Sequence, residues 1–231
     1  MQAAEHPNAS AHRVAKTALF DELSRAAAAL ANGRRAEIVD VLANGERTVE
    51  SLGKEVGLTV ANTSQHLQVL RQAGLVRSRR DGNFVTYSLS DPSVFELWRA
   101  IRTFGTKHRA EIEQLASDYL GEKDELEPIT RDELRRRLKS GEDLIVIDVR
   151  PPEEYAAGHL PQAVSMPLSQ LRRRLDELPQ DRTIVAYCRG PYCAFAHSAI
   201  RQLRRHGYVA QRLEDGLPEW RAAGLPVETG G

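Results

Sequence analysis

Cysteine is nearly absent: the chain of 231 residues holds two, at 188 and 193. Two thiols are too few for a disulfide scaffold, and such sparing use points to a reducing compartment, the cytoplasm. Net charge is absent as well, because 32 lysines and arginines balance 32 aspartates and glutamates. A whole-molecule field therefore cannot draw in nucleic acid, and any such partner must be met by a local patch. No apolar run approaches the ~20 residues of a membrane span, so none is expected. The opening "MQAAEHPNASAHRVAK" lacks an apolar segment, so a secretory signal is not expected either. Internal repeats and low-complexity tracts are missing. What remains is an ordinary globular composition, 41% hydrophobic and 28% charged, in a length that suits one large or two small domains.

The chain divides by texture. Residues 1–12 are polar and read as a flexible N-terminus. From His12 to Leu30, Leu19, Leu23, Ala27 and Leu30 fall at a helical period. Gly45, Gly57 and Gly74 then separate three short helices, with Thr48 and Thr59 at the N-cap positions of the second and third. "VRSRRDGNFVTYSL" alternates around Asp81-Gly82-Asn83, which predicts a hairpin. Residues 93–119 read as one long helix. Val94, Leu97, Ile101, Phe104, His108, Ile112, Leu115 and Tyr119 make a nearly heptad seam along it. A stripe that long exceeds what one small domain covers and predicts a partner helix. Packing on its own domain is the alternative. The acidic, proline-ended "GEKDELEP" (121–128) reads as a linker. Beyond it, Thr130 with Glu133 signals a capping box. The apolar runs 144–149, 183–188 and 208–213 alternate with helical segments, the rhythm of a parallel α/β sheet.

In the N-terminal half, a helix, a glycine turn and a capped helix bearing "TVANTSQHLQVL" make a helix-turn-helix plan. Leu67, Val69, Leu70 and Leu75 are the expected core. Thr59, Asn62, Thr63, Ser64, Gln65, His66 and Gln68 are polar groups near the helix start that can bond to base edges and phosphates in a major groove. They could equally form a solvated face. The hairpin adds weight to the first reading. Between residues 59 and 90, Arg71, Arg77, Arg79 and Arg80 stand against Asp81 alone, a local +3. Arg77, Arg79, Arg80 and Asn83 are the wing residues expected at the DNA backbone. This arrangement closely resembles the ArsR family of bacterial winged-helix repressors, on "TSQHLQVLRQAGLVRSRRDGNFVTYSL" (63–89) and more loosely from about 14 to 118. The resemblance implies a homodimer paired through the first and last helices, here 13–31 and 93–119, on a palindromic double-stranded operator. It departs from the family's metal sensors: "ERTVESL" (46–52) puts Thr48 and Glu50 where a thiol pair would stand. His66, Asp91, Glu96 and His108 are scattered rather than clustered as ligands, so no metal site and no cofactor are expected.

The two cysteines lie in "VAYCRGPYCAFAHSAI" (185–200). Cys188 ends a predicted strand, where parallel sheets place ligands, and a helix begins near Cys193. Backbone N–H groups of "RGPY" and of the helix start can gather at Cys188 and favour its thiolate. Two small buried cysteines are the alternative. Residues 127–231 resemble the rhodanese (sulfurtransferase) domain, on "LIVIDVRPPEEYAAGHLPQAVSMPL" (144–168), the cysteine loop and "LEDGLPEWRAAGLPVETG" (213–230). That resemblance implies Cys188 as the nucleophile that holds sulfane sulfur as a persulfide and passes it to a thiol acceptor. Arg189, Gly190 and Tyr192 belong to its loop. Asp148, Arg150, Glu154 and His159 match a charged framework expected to support that loop rather than to react. Gly216 and Trp220 are expected to pack the domain's end. Many rhodanese loops carry a cation at the sixth position. Here that position is Cys193, which argues against thiosulfate, a dianion, as the donor, unless Arg189 compensates. Cys193 either resolves the Cys188 persulfide into a disulfide or packs under the helix without reacting.

The expected architecture is therefore an α+β winged helix-turn-helix domain (13–120), a linker and an α/β rhodanese-like domain with a parallel sheet (129–231). The expected function is a cytoplasmic DNA-binding regulator, a repressor, that accepts or senses sulfane sulfur at Cys188. The alternative is a sulfurtransferase enzyme that uses the winged helix to dimerise. A metal-dependent repressor is disfavoured by the missing thiols.

Overall fold

The computed structural model describes residues 7–82, 84–121 and 128–230. Residues 1–6 of the expected flexible N-terminus, the wing residue Asn83 and positions 122–127 of the expected linker lie outside the described residues. The chain forms two compact units, divided between Trp98 and Arg99.

In the first unit α1 (Pro7–Leu30) starts ahead of the expected boundary at 12, so residues 7–12 are helical. It leads to α2 (Gly33–Leu42), capped by the Asn32 side chain, which accepts from the Arg35 amide. The short strand β1 (Arg47–Thr48) precedes α3 (Val49–Glu55) and α4 (Val60–Gln72). Thr48 and Thr59 cap α3 and α4 as their positions predict, each hydroxyl accepting an amide three residues on. That pattern satisfies one of the N–H groups a helix start leaves without a partner. Strands β2 (Val76–Asp81) and β3 (Phe84–Leu89) form the hairpin, and Asp81 pairs with Phe84 across its turn. Gly82 sits at φ 59°, the conformation such a turn needs. With β1 on the far side of β3 the three strands make one antiparallel sheet. Ile38, Val39, Leu52, Leu67 and Leu70 are fully buried at its core. Val69, an expected core residue, is 40% exposed instead. Leu67 and Leu70 point inward, and Val69 falls outside the inward row of α4.

Helix α5 (Pro92–His108) starts in the first unit, where Val94 and Phe95 are buried and the Trp98 indole N–H donates to Asp40 at 2.7 Å. The expected single helix over 93–119 is two. Arg109 turns extended (φ −134°, ψ 98°) and takes the N-cap position of α6 (Ala110–Leu120) without a side-chain cap bond. The seam continues through both pieces, which is why periodicity did not reveal the break.

In the second unit α7 (Arg131–Lys139) opens at Thr130, whose hydroxyl accepts from the Glu133 amide. The Glu133 carboxylate binds Arg136 and Arg137, whose hydrogen bonds hold it down to about 2. Four parallel strands follow: β4 (Leu144–Asp148), β5 (Val164–Ser165), β6 (Thr183–Tyr187) and β7 (Ala210–Arg212), in the order β5-β4-β6-β7. The helices are α8 (Pro152–Ala157), α9 (Leu168–Leu171), α10 (Ala194–Arg205) and α11 (Leu217–Ala222). Alternation along the strands serves two cores. Ile147, Ile184 and Ala186 pack with Ala199, Ile200 and Leu203 of α10. Val146, Val185 and Tyr187 pack with Leu134 of α7 and with Leu217 and Trp220 of α11. A sheet buried on both faces explains strands that read as unbroken apolar runs. No helix among the described residues is long and apolar enough to cross a membrane.

Candidate functional site

The DNA-facing residues sort by exposure. On α4, Asn62, Gln65 and Gln68 are exposed, and Ser64 and His66 are half-buried. Thr59 is exposed, and its hydroxyl is used in the cap. Thr63 does not belong to this face. It is fully buried, its hydroxyl donates to the Thr59 carbonyl at 2.9 Å, and it lies where a Cβ on Gly53 would come within 3.0 Å. Thr63 therefore seals the close approach of α3 to α4 and cannot reach a base. A helical spacing of 63, 67 and 70, all inward, is the signal that marks it. On the wing, Arg77, Arg79 and Arg80 are all exposed. Arg77 and Arg79 share one face of β2 by strand alternation. Arg77 donates to Ser88, and Arg79 pairs with Glu46 at 2.9 Å across a surface more than 40% exposed on both sides. Such pairs contribute little and open readily toward a phosphate. Arg80 donates to the Gly82 carbonyl. Among the described residues no group of three histidine, cysteine or acidic side chains is placed to hold a metal ion.

The sulfur loop begins at the carboxyl end of β6, a central strand. Cys188 is 2% exposed, and its carbonyl accepts from the Leu217 amide at 3.3 Å. The chain turns through Arg189-Gly190-Pro191-Tyr192, and the Cys193 amide closes the turn onto the Gly190 carbonyl at 3.1 Å. Cys193 occupies the N-cap position of α10, without a side-chain cap bond. Cys188 and Cys193 are joined as a disulfide, with Cα atoms 6.2 Å apart. A pocket of about 250 Å³ opens beside the loop, with Pro191, Tyr192 and His197 on one wall and Ile112, Ala116 and Leu120 of α6 on another.

Buried charges hold the loop from two sides. Asp148 at the end of β4 takes a forked bond from Arg150 and the Tyr187 hydroxyl, all with negligible exposure. Burial and the Asp148 charge push the Tyr187 phenol far above its ordinary range, so it stays a donor. Its oxygen also accepts from the Leu160 amide. Arg150 lies 3.8 Å from Glu154, and Glu154 accepts from Arg189 Nε on both oxygens at 3.0 and 3.1 Å and from its Nη2 at 2.5 Å. Arg189 also lies over the Phe195 ring at 5.4 Å. The Arg189 charge is thus spent on Glu154, which weakens it as a substitute for the missing sixth-position cation. Of the expected framework, Asp148, Arg150 and Glu154 form one chain of contacts ending on the loop. His159 stands apart, stacked on Tyr155 at 3.7 Å and 3.7 Å from Glu228.

The second support runs through Gly216, expected only to pack the domain's end. Gly216 packs directly on the loop backbone. A Cβ there would lie 2.3 Å from the Arg189 carbonyl carbon and 2.4 Å from the Gly190 nitrogen. Its amide donates to Glu219 at 3.0 Å, and Glu219 pairs with Arg102 of α5. Asp215 beside it pairs with Arg131 at 3.1 Å. Trp220 is buried, its indole N–H donating to the Pro226 carbonyl. The glycine four residues before a tryptophan hinted at Gly216, and an acid three residues into a helix hinted at the Glu219 cap. Nothing local connects Glu219 with a residue 117 positions earlier.

A winged helix joined to a cysteine loop on a parallel sheet defines a class, the helix-turn-helix regulator carrying a rhodanese-like domain. Residues 32–78 match the bacterial regulatory protein arsR family, and residues 130–223 match the rhodanese-like domain. The HTH-type transcriptional regulator Rv0324 of Mycobacterium tuberculosis is 45% identical over 215 residues, 93% of this chain and 94% of that protein. The chain belongs to this family of ArsR-type transcriptional regulators with a fused rhodanese-like domain. A sulfurtransferase of Allochromatium vinosum is 35% identical over 100 residues, 43% of this chain and 92% of that protein. Among solved structures, the homodimeric winged helix-turn-helix DNA-binding domain of Mb0332 from Mycobacterium bovis is 34% identical, covering 48% of this chain and 95% of that one at a TM-score of 0.40.

Proposed function

We propose that this regulator is a homodimeric, cytoplasmic repressor that reads sulfane sulfur at Cys188 and changes its hold on operator DNA in response. The observation that carries the reading is the pairing of Cys188 with Cys193 across the loop at the carboxyl edge of the sheet. The Cys188 thiolate attacks the outer sulfur of a persulfide R–S–SH. The sulfane sulfur moves to Cys188 as Cys188–S–SH, and RS⁻ leaves. The Cys193 thiolate then attacks Sγ of Cys188, forms the disulfide and expels HS⁻. The sulfane sulfur is reduced to sulfide as the two thiols are oxidised. The 6.2 Å Cα separation lies within the span a disulfide bridges.

Operator binding rests on the exposed Asn62, Gln65 and Gln68 of α4, with Ser64 and His66 beside them, and on the arginines of the wing. Dimerisation through residues 13–31 and 93–119 is supported by apolar rows left uncovered on one chain. Val14, Leu19, Phe20 and Leu23 of α1 are each more than half exposed, as are Phe104, Leu115 and Tyr119 of α5 and α6. Rows of large apolar side chains left this exposed mark an interface.

A gel shift with the DNA upstream of its own gene, with and without polysulfide, tests the sensor. DNA release together with a mass of the closed disulfide is the expected outcome. Cys193→Ser should keep a Cys188 persulfide and stop releasing sulfide, and unchanged sulfide release in that variant would remove the switch. The likeness to the Allochromatium vinosum sulfurtransferase favours one other reading, an enzyme. Robust turnover by a protein with no DNA affinity would establish it.

A further inference from the structure

The rhodanese match spans residues 130–223, yet one of the two charges against the far side of the cysteine loop comes from outside it. Arg102 of α5 and Glu219 of α11 form an ion pair with side-chain exposures of 11% and 5%. Glu219 also accepts from the Gly216 amide, and Gly216 is pressed on the backbone of Arg189 and Gly190. A Cβ on Gly190 would meet both Glu219 oxygens at 3.6 and 3.7 Å and an Arg102 nitrogen at 3.8 Å. The pair therefore lies against the loop itself, two residues past Cys188.

We infer that Arg102, a residue of the regulator's own helix, is a positioning residue of the sulfur site: it neutralises Glu219 so that the loop keeps its shape and Cys188 can be a thiolate. This inference rests on the reading of Cys188 as the sulfur acceptor.

The other charged groups around the loop are already matched. Arg189 is taken by Glu154 of α8, which also faces Arg150. Asp215 is held by Arg131 of α7. His197 of α10 and Tyr192 line the pocket beside the loop. Glu219 is 4% exposed, so without Arg102 its charge would be poorly solvated and aimed at the loop. A carboxylate beside a thiol disfavours the thiolate. An acid at 219 without a base at 102 thus opposes the chemistry that a rhodanese loop requires.

The test measures how fast Cys188 of the reduced, full-length protein reacts with iodoacetamide as a function of pH, with Cys193→Ser as the background. Arg102→Met should move the alkylation profile up by about one pH unit, roughly tenfold slower at neutral pH. Arg102→Lys should keep a rate close to that of the background protein. The double variant Arg102→Met/Glu219→Gln should recover most of the lost rate, because it removes the stranded charge. A merely structural pair would give the opposite, with the double variant as slow as the single one. An unchanged profile in Arg102→Met would also overturn the inference. Mass spectrometry of the background protein after polysulfide separates the two claims. If no Cys188 persulfide forms there, the sulfur reading fails. If it forms while Arg102→Met alkylates normally, only the role of Arg102 fails.

Discussion

Replacing Gly216 with alanine drives a methyl group into the backbone of the cysteine loop. The new carbon would stand 2.3 Å from the Arg189 carbonyl carbon, 2.4 Å from the Gly190 nitrogen and 2.5 Å from the Arg189 oxygen. Carbon atoms settle at about 3.5–4.0 Å, so the loop or the start of α11 must withdraw by about 1 Å. All three obstructing atoms are main chain, so no side chain can swing aside. Overpacking of this kind costs about 1–3 kcal/mol. The same displacement stretches the Leu217 bond to Cys188 and the Gly216 bond to Glu219, at about 1 kcal/mol each. A total near 3–5 kcal/mol should lower the urea midpoint of the second unit by about 1.5–2.5 M at a slope of about 2 kcal/mol/M. Circular dichroism during urea titration, with Trp220 fluorescence as a second probe, reads this directly. Reduced Cys188 should also alkylate more slowly, since its neighbours have moved. Gly33→Ala is the control, because nothing lies within 4 Å of a Cβ at that position. If Gly216→Ala melted and alkylated like the parent, the loop would not depend on that contact and the account of its support would be wrong.

Arg77→Ala on the wing should weaken binding about equally on different DNA sequences and flatten the salt dependence by about one unit of slope; an unaltered slope in fluorescence anisotropy would remove Arg77 from the phosphate contacts. Asp215 gives a pH-dependent case. Burial first, and then the neighbouring Glu219, raise its carboxyl above the ordinary aspartate range, with Arg131 and Arg102 opposing. A carboxyl raised in the folded state favours folding while protonated, and that contribution is lost as pH climbs through the raised value. Asp215→Asn should therefore stabilise the second unit at neutral pH and leave it unchanged in acid below the ordinary aspartate range. Lower stability at neutral pH would mean that the Arg131 bond outweighs the burial.

Much of the architecture could be read along the chain because the relevant signals are local. Thr48, Thr59 and Thr130 cap the helices their positions predict, Gly82 turns the hairpin, and the apolar runs at 144, 183 and 208 become β4, β6 and β7. The misreadings share a different origin. The break at Arg109 falls in a segment whose apolar period never falters, and arginine is no helix breaker. Thr63 looks like its polar neighbours by type, and only its register with Leu67 and Leu70 sends it inward. Strand β5 spans two residues, Val164–Ser165, and exists because β4 offers it an edge. At the site, Cys188 and Cys193 stand out by their place between a predicted strand and a predicted helix, whereas Asp148, Arg150 and Glu154 are singled out only by the likeness to the rhodanese domain. The contacts of Gly216 with the loop, and of Glu219 with Arg102, join segments far apart in sequence, and no periodicity or composition encodes them.

The disulfide of the loop encloses only four residues, and no other cysteine exists in the chain. Closure therefore leaves the hydrodynamic size of an unfolded chain almost untouched, and ordinary non-reducing electrophoresis would overlook it. The same scarcity makes labelling stoichiometry unusually direct. Under denaturing conditions a thiol reagent finds two equivalents in the open protein and none in the closed one, with no background from elsewhere. A persulfidated chain differs from the open one by the mass of a single added sulfur, so intact-protein mass spectrometry can count all three states in one unfractionated sample.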